Sequence, residues 1–278
     1  MPTPLSVRNT NLTRNQFQDR STLSGWHWMI PCIPLALWLL MFVFTTPNEI
    51  FLQINQRARA IPDNVWIFFD LLGNGWYDFA LATPLLLLAP RHLIASLYAG
   101  AIAGLLGRIL KLTFELPRPA SVIDPASFHI LGNPLTSLAM PSGHTLTAFA
   151  LVTAFYFSTS PEKRKPLLVL FFFALAAGVA RIAVGAHWPA DVLAGAALGI
   201  CGGLVGTALA GKLPQHLLRA QSWLMRVLSA GSAFCIYVLM SAEIDFAAAK
   251  PFQWFAASVG TLGLIGFAIH TIRRPMSG

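Results

Sequence analysis

Charge is the scarcest commodity in this sequence. Only 11% of its 278 residues are Asp, Glu, Lys or Arg, while 55% are apolar; a water-soluble domain carries about a quarter charged residues. That shortage excludes an ordinary soluble globular protein and makes a membrane protein the first expectation. Acids are scarcer than bases, 11 against 19, for a formal net charge of +8. The bases fall in short clusters between apolar runs and form no continuous stripe, which argues against a nucleic-acid partner. Cysteine is nearly absent: Cys32, Cys201 and Cys235 lie far apart inside apolar runs, with no His or Cys at metal-ligand spacing, and read as small core residues. The signal-peptide pattern is missing as well. The first 25 residues are polar and the apolar run then continues from Trp26 to Phe44, so residues 1–26 are expected to be a cytoplasmic tail leading into a first span.

What the sequence has in abundance is apolar runs of membrane-crossing length. A bilayer core of about 30 Å needs about 20 helical residues, and eight runs approach that: 27–45, 75–90, 92–112, 143–159, 166–183, 189–210, 223–242 and 252–271. The second is short and contains Pro84. Cytoplasmic loops retain Lys and Arg in excess. With the amino terminus inside, twelve bases fall on that side (Arg8, Arg14, Arg20, Arg91, Lys163, Arg164, Lys165, Lys212, Arg219, Arg226, Arg273, Arg274) and seven on the other (Arg57, Arg59, Arg108, Lys111, Arg118, Arg181, Lys250). Both termini are therefore expected to be cytoplasmic.

Two connections stand out. Residues 46–74 mix Trp66, Ile67, Phe68, Phe69, Leu71 and Leu72 with polar residues, as an interfacial helix does. Residues 113–142 hold Pro117, Pro119, Pro125, Pro134 and Pro141, which rules out one continuous helix and favours a fixed irregular cover.

Ionisable residues at span ends are costly unless paired, snorkelling or used, and here they gather on one side. Lys111 closes the third span, and Arg118 follows seven residues later, directly before Pro119. The fourth span opens with Pro141, Ser142, Gly143 and His144. Arg181 ends the fifth, His187 comes six residues on, and Asp191 lies four beyond, inside the sixth.

These three segments resemble the signature motifs of the type 2 phosphatidic acid phosphatase (PAP2) superfamily, which includes bacterial membrane lipid phosphatases and vanadium haloperoxidases. The resemblance covers roughly residues 70 to 210. It departs at Ala180, where the family has Ser before the Arg, so a supporting hydroxyl is missing. Phosphate chemistry suits the residues. The transition state spreads charge over three equatorial oxygens, and Lys111, Arg118 and Arg181 would balance it, Arg as a planar fork and Lys as a point charge. Ser142, Gly143 and the helix start behind them would add a hydroxyl, close backbone approach and unpaired N–H groups.

His187 and Asp191, four apart on a helix, share one face; Asp191 would fix the imidazole tautomer and leave the other nitrogen to attack phosphorus. The resemblance implies a phosphohistidine at His187, with His144 as acid toward the leaving oxygen and later as base toward water. No metal or other cofactor is expected, because the sequence shows no carboxylate cluster suited to magnesium.

Other residues read more plainly. Arg108, one turn before Lys111, either reaches the site or, as the favoured expectation, pairs with Glu115 or headgroups; His129 and Asp124 are expected either to select a headgroup or to form solvated loop surface; His27, His92, His216 and His270 are expected to be interfacial. Gly195, Gly199, Gly202, Gly203 and Gly206 give the sixth span a small-residue face for close packing or dimerisation.

The expected protein is an all-α, polytopic membrane helix bundle of the bacterial inner membrane: a six-helix core over 27–212 and two further spans in 213–278. Its site faces the periplasm, and its partners are membrane lipids and a lipid phosphate substrate. The implied substrates are undecaprenyl diphosphate, phosphatidylglycerol phosphate, phosphatidic acid and lipid A. The rival readings are a lipid-to-lipid phosphotransferase using the same site, a non-catalytic lipid-phosphate binding or transport protein, and a haloperoxidase. The apolar spans argue against the haloperoxidase.

Overall fold

The glycine face of the sixth expected span decides how the bundle packs. A computed structural model describes residues 23–44 and 46–273; the tail expected over 1–26 falls almost wholly outside them. In it Pro189–Gly211 is one helix, α10, running through the centre. The other helices in chain order are α1 (Cys32–Phe44), α2 (Pro47–Ala58), α3 (Asp63–Leu71), α4 (Gly75–Leu81), α5 (Leu85–Leu88), α6 (Pro90–Phe114), α7 (Pro119–Val122), α8 (Gly143–Ser158), α9 (Val169–Ala183), α11 (Trp223–Ser241) and α12 (Lys250–Arg273).

A methyl group placed on Gly199 would lie 2.5 Å from the Leu146 carbonyl oxygen of α8, and one on Gly206 2.5 Å from the Ala95 carbonyl oxygen of α6. Gly195 and Gly203 face α8, and Gly202 faces α6, in the same way. The small-residue stripe is thus used inside the bundle, where backbones approach closely without the help of a hydrophobic effect. Around this α6–α8–α10 core, α9 packs beside α8, α1 lies on α10, and α11 and α12 form a hairpin against α4.

Among the described residues, six helical stretches are long and apolar enough to cross a membrane: Gly25–Phe44, Pro90–Val122, Lys165–Ala183, Pro189–Gly211, Gln215–Ser241 and Ala247–Arg273. The protein is a multi-pass, all-helical membrane protein. The other two expected spans differ. α8 has 16 residues, and the run 75–90 is not continuous: α4 ends at Leu81 and α5 begins at Leu85. Pro84 has no N–H to continue the ladder and its ring clashes with the preceding turn. Gly263 of α12 fits against this break, where a Cβ would meet the Pro84 nitrogen at 2.9 Å.

The interfacial stretch 46–74 forms α2 and α3. Thr46 caps α2 by accepting from the Glu49 N–H, with Pro47 at the first helical position. Residues 115–142 are irregular apart from α7 and one 3-10 turn.

Candidate active site

α6 and α9 end, and α8 and α10 begin, at the same end of the bundle, so the three sequence segments meet there. The turn after α9 explains the spacing of Arg181 and His187. Gly185 takes φ +78°, a left-handed conformation open to glycine at little cost, and the chain folds back so that the N–H groups of both Ala186 and His187 donate to the Arg181 carbonyl. His187 then leads directly into Trp188, the N-cap of α10, with Pro189 at the first helical position.

Asp191, at the third position of α10, serves two partners through one oxygen. Its Oδ2 accepts from the Trp188 N–H at 2.9 Å and lies 3.1 Å from His187 Nδ1. A capping carboxylate thereby fixes the imidazole. Both side chains are buried. Burial is the main reason the His187 imidazole titrates well below its usual range, and the charges of Arg118, Arg181, Lys111 and His144 push it the same way. His187 is neutral at neutral pH, with Nε2 turned away from Asp191.

Ser142 is the N-cap of α8 and fully buried. Its backbone N–H donates to the Asp191 carbonyl at 2.9 Å, tying the start of α8 to α10. Its Oγ accepts from the Thr145 hydroxyl at 3.0 Å, so its own proton is free to be donated. A Cβ on Gly143 would meet nothing within 4 Å: the first turn of α8 faces open space. The cations are braced by backbone carbonyls. Lys111 Nζ donates to Leu138 O at 2.5 Å and Ala139 O at 3.3 Å, where Leu138 itself has φ +56°. Arg118 donates from Nε to Ser137 O at 2.8 Å and from Nη1 to Ala186 O at 3.0 Å. The long irregular loop thus holds both. Arg181 is buried, pairs through Nη1 with Asp70 Oδ1, and keeps a buried Nε–H with no partner. Ala180 is fully buried beside it.

Sequence reasoning missed three contributors. Asp70 of α3 meets both His144 and Arg181, Asp245 between α11 and α12 meets His144, and Asn74 at the cap of α4 holds Asp245. His144 Nε2 lies 3.2 Å from Asp245 Oδ2 and 3.5 Å from Asp70 Oδ2. One signal was present: Asp70 is a lone acid inside an apolar stretch, and it is completely buried. The sequence shows no carboxylate cluster suited to magnesium, but the fold brings donor atoms of Asp70, His144 and Asp245 within 4.8 Å of one another, close enough to hold a metal ion. The neighbours fit an ion-pair network better. Arg181 engages Asp70 Oδ1, and the Asn74 amide donates to Asp245 Oδ2 at 2.8 Å, so one oxygen of each carboxylate is already served, while Asp70 Oδ2 faces His144 without a hydrogen-bond donor.

Two other expectations are narrowed. Arg108 is exposed and makes no ion pair with Glu115 among the described residues. His129 Nε2 meets Asp63 Oδ1 at 2.9 Å, and its N–H donates to Asn55 Oδ1 at 2.8 Å. Asn55 also donates to the carbonyls of His129, Ile182 and Ala183, so His129 helps to pin the loop to α2, α3 and the end of α9. Asp124 caps the 3-10 turn at Pro125.

A polar cavity of about 180 Å³ opens at this end, between Ile130–Leu135 of the loop, Arg181–Ala186, and Asp245 and Phe246. Toward the membrane interior an apolar groove of about 740 Å³ runs between α4, α5, α6 and α8. Gly75 and Thr147 line it, the first beside Asn74 and the second one turn along α8 from His144.

Together these features define a class: a multi-pass membrane protein in which Lys111, Arg118, Arg181 and two histidines gather at one end of the bundle, with a small polar cavity beside Arg181 and an apolar groove nearby. A model of the PAP2 superfamily matches residues 92–214. An undecaprenyl-diphosphatase of Sulfolobus acidocaldarius is 31% identical over 155 residues, 54% of this chain and 72% of that protein. A lipid A 1-phosphatase of Porphyromonas gingivalis is 43% identical over 66 residues, 24% of this chain and 15% of that protein. The crystal structure of Aquifex aeolicus LpxE superposes with a TM-score of 0.51 at 31% identity, covering 57% of this chain and 92% of that one. A transmembrane PAP2-type phosphatidylglycerolphosphate phosphatase from Bacillus subtilis shares the fold, with a TM-score of 0.50 at 19% identity over 67% of this chain and 98% of that one. The chain belongs to the PAP2 superfamily, and it is a membrane lipid phosphatase.

Proposed function

We propose that this enzyme removes a terminal phosphate from a lipid phosphate or diphosphate at the periplasmic face of the bacterial inner membrane, through a phosphohistidine at His187 and without a metal. The observation that carries this reading is His187 itself: a buried, neutral imidazole held by Asp191 through Nδ1 at 3.1 Å, beside a partnerless buried Arg181 Nε–H. A neutral imidazole whose tautomer is fixed by a carboxylate is an activated nucleophile.

In the first step His187 Nε2 bonds to phosphorus as the bond to the leaving oxygen breaks, and His144 gives its proton to that oxygen. Lys111, Arg118, Arg181, the Ser142 hydroxyl and the Gly143 N–H hold the equatorial oxygens. In the second step water attacks phosphorus, the P–N bond breaks, His144 takes the water proton, and inorganic phosphate departs. The phosphate lies among His187, His144 and the three cations, next to the polar cavity that Arg181 lines, and the tail lies in the apolar groove. The substrate is thus a lipid with one long apolar tail region and an exposed phosphate: undecaprenyl diphosphate, phosphatidylglycerol phosphate, phosphatidic acid or a lipid A phosphate. In this division of the chain, residues 27–212 form the catalytic core and 213–278 add a hairpin.

Phosphate release by the detergent-purified protein from a panel of these lipids, in excess chelator and without an added acceptor, tests the reading. Release from at least one lipid is expected. Release only when a second lipid acceptor is added would replace hydrolysis with phosphotransfer, and no phosphate movement from any lipid would leave only a binding role.

A further inference from the structure

Every group so far assigned to the chemistry lies within residues 92–214, the segment the PAP2 family model matches. Yet the α11–α12 hairpin reaches back over the site. Its connecting loop places Asp245 Oδ2 3.2 Å from His144 Nε2, across a separation of 101 residues. We propose that Asp245 is a positioning residue for His144, orienting its ring and stabilising its protonated form, so that the C-terminal hairpin is a working part of the active site. This inference rests on the reading of His144 as the proton donor.

The placement is built on several independent supports. The loop is anchored on both sides of Asp245 by Ile244 and Phe246, both buried. Phe246 fits against Gly132 of the long loop, where a Cβ would lie 3.3 Å from the ring. Lys250 Nζ donates to Ala242 O at 2.5 Å and closes the turn. Asp245 itself takes φ +56°, a conformation uncommon for any residue but glycine, although Asn and Asp adopt it more readily than most. From α4, Asn74 caps its own helix through Oδ1, which accepts from the Trp76 and Tyr77 N–H groups. That fixes the amide and points its Nδ2–H at Asp245 Oδ2, 2.8 Å away. On the far side, Gly73 lies so close to His144 that a Cβ would meet its carbonyl oxygen at 2.4 Å. The α3–α4 turn and the α11–α12 loop thus clamp the same histidine.

The charges facing His144 are Asp70 from α3, Arg181 from α9, Asp245 from the hairpin loop and His187 before α10. Asp70 commits Oδ1 to Arg181 and holds Oδ2 3.5 Å from His144 Nε2; Asp245 Oδ2, at 3.2 Å, is the nearer carboxylate and the one within hydrogen-bond reach of His144. Burial alone would raise the Asp245 carboxyl, but hydrogen bonds and charge from His144, with help from Asn74 and Arg181, hold it at about 2. Asp245 is therefore a carboxylate at neutral pH. As the bond from phosphorus to the lipid oxygen breaks, the proton passes from His144 to that oxygen; Asp245 stays ionised throughout, and water returns the proton to His144 in the second step.

The test compares the full-length protein in detergent with Asp245→Asn and Asp245→Glu on two substrates. Phosphatidic acid releases an alkoxide, which needs a proton; p-nitrophenyl phosphate releases an aryloxide, which does not. Asp245→Asn is expected to lower kcat on phosphatidic acid about 10- to 100-fold, less than the roughly 10²- to 10⁴-fold that general acid catalysis contributes, because the acid itself is retained. Its loss on p-nitrophenyl phosphate is expected to be at least tenfold smaller, and Asp245→Glu to recover part of the lipid activity. Equal losses on both substrates would mean a structural role and overturn the proposal, as would no loss on either. Wild type inactive on p-nitrophenyl phosphate and on every lipid of the panel would instead overturn the hydrolase reading beneath it.

Discussion

The Nδ1 of His187 lies 3.1 Å from Oδ2 of Asp191, one helical turn along at the start of α10, and both side chains are buried. A histidine held this way has one nitrogen committed and one free. Removing the nucleophile and removing its orienting carboxylate should therefore have different consequences. His187→Ala is expected to abolish phosphate release. Asp191→Asn is expected to lower kcat by about 10⁴, the cost of the equivalent change in a hydrolase triad, with little change in substrate binding. A fall in kcat of less than tenfold for Asp191→Asn would remove Asp191 from the mechanism.

The depressed titration of His187 fixes the acid side of the pH profile. The group must be neutral to attack, and burial together with three nearby cations keeps it neutral well below pH 6.5. The acid limb of kcat/KM, which reports the free enzyme, is expected below pH 6.5. The same shift bears on stability. Below pH 6.5 the unfolded chain protonates this histidine and the folded one does not, so folding stability rises with pH in that window and falls as pH drops through it. An acid limb at or above 6.5 would show that His187 is not the titrating nucleophile.

Metal dependence distinguishes the two meanings of the Asp70, His144 and Asp245 cluster. If these groups form an ion-pair network with Arg181, exhaustive chelation leaves activity intact, and vanadate, which offers the same charged oxygens as a phosphoryl group in flight, inhibits. Activity lost to chelator and restored by a divalent cation would mean that the cluster holds a metal.

The packing of α10 gives a test free of the chemistry. Gly199→Ala drives a methyl group to 2.5 Å from the Leu146 carbonyl oxygen, whereas a methyl on Gly104 of α6 meets nothing within 4 Å. Overpacking of this kind costs about 1–3 kcal/mol. The thermal unfolding midpoint in detergent is expected to fall for Gly199→Ala and to hold or rise for Gly104→Ala. Equal midpoints would contradict the close α8–α10 packing.

Orientation is open to direct labelling. With Cys32, Cys201 and Cys235 replaced, Asp124→Cys is expected to react with a membrane-impermeant maleimide in intact cells, and Lys163→Cys only after permeabilisation. The reverse pattern would put the site on the cytoplasmic side.

Much of the fold was legible because a membrane demands long apolar helices, and composition announces them. The motif segments were legible for a related reason: charge at the end of a span is too costly to be idle, so Lys111, Arg118, Arg181, His187 and Asp191 stood out against their surroundings. Two kinds of feature were hidden. The run 75–90 reads as a span by hydropathy, yet Pro84 divides it, because hydropathy does not register a missing N–H. Asp70 and Asp245 belong to no motif, and their importance lies in meeting His144 across 74 and 101 residues respectively. Only the α3–α4 turn and the α11–α12 loop, folded over the end of the bundle, bring them there. The residues that stood out sit in three short motif segments; Asp70 and Asp245 lie outside them and join only through the fold.

The central claim, a covalent phosphohistidine at His187, is tested most directly by rapid mixing of the purified protein with a lipid phosphate labelled in its terminal phosphate, an alkaline quench, and peptide mapping. The account predicts label on the peptide containing His187 in wild type, no label in His187→Ala, and loss of the label at the rate of phosphate release. Phosphate release at full rate with no labelled protein at any time would contradict it and point to direct attack by water.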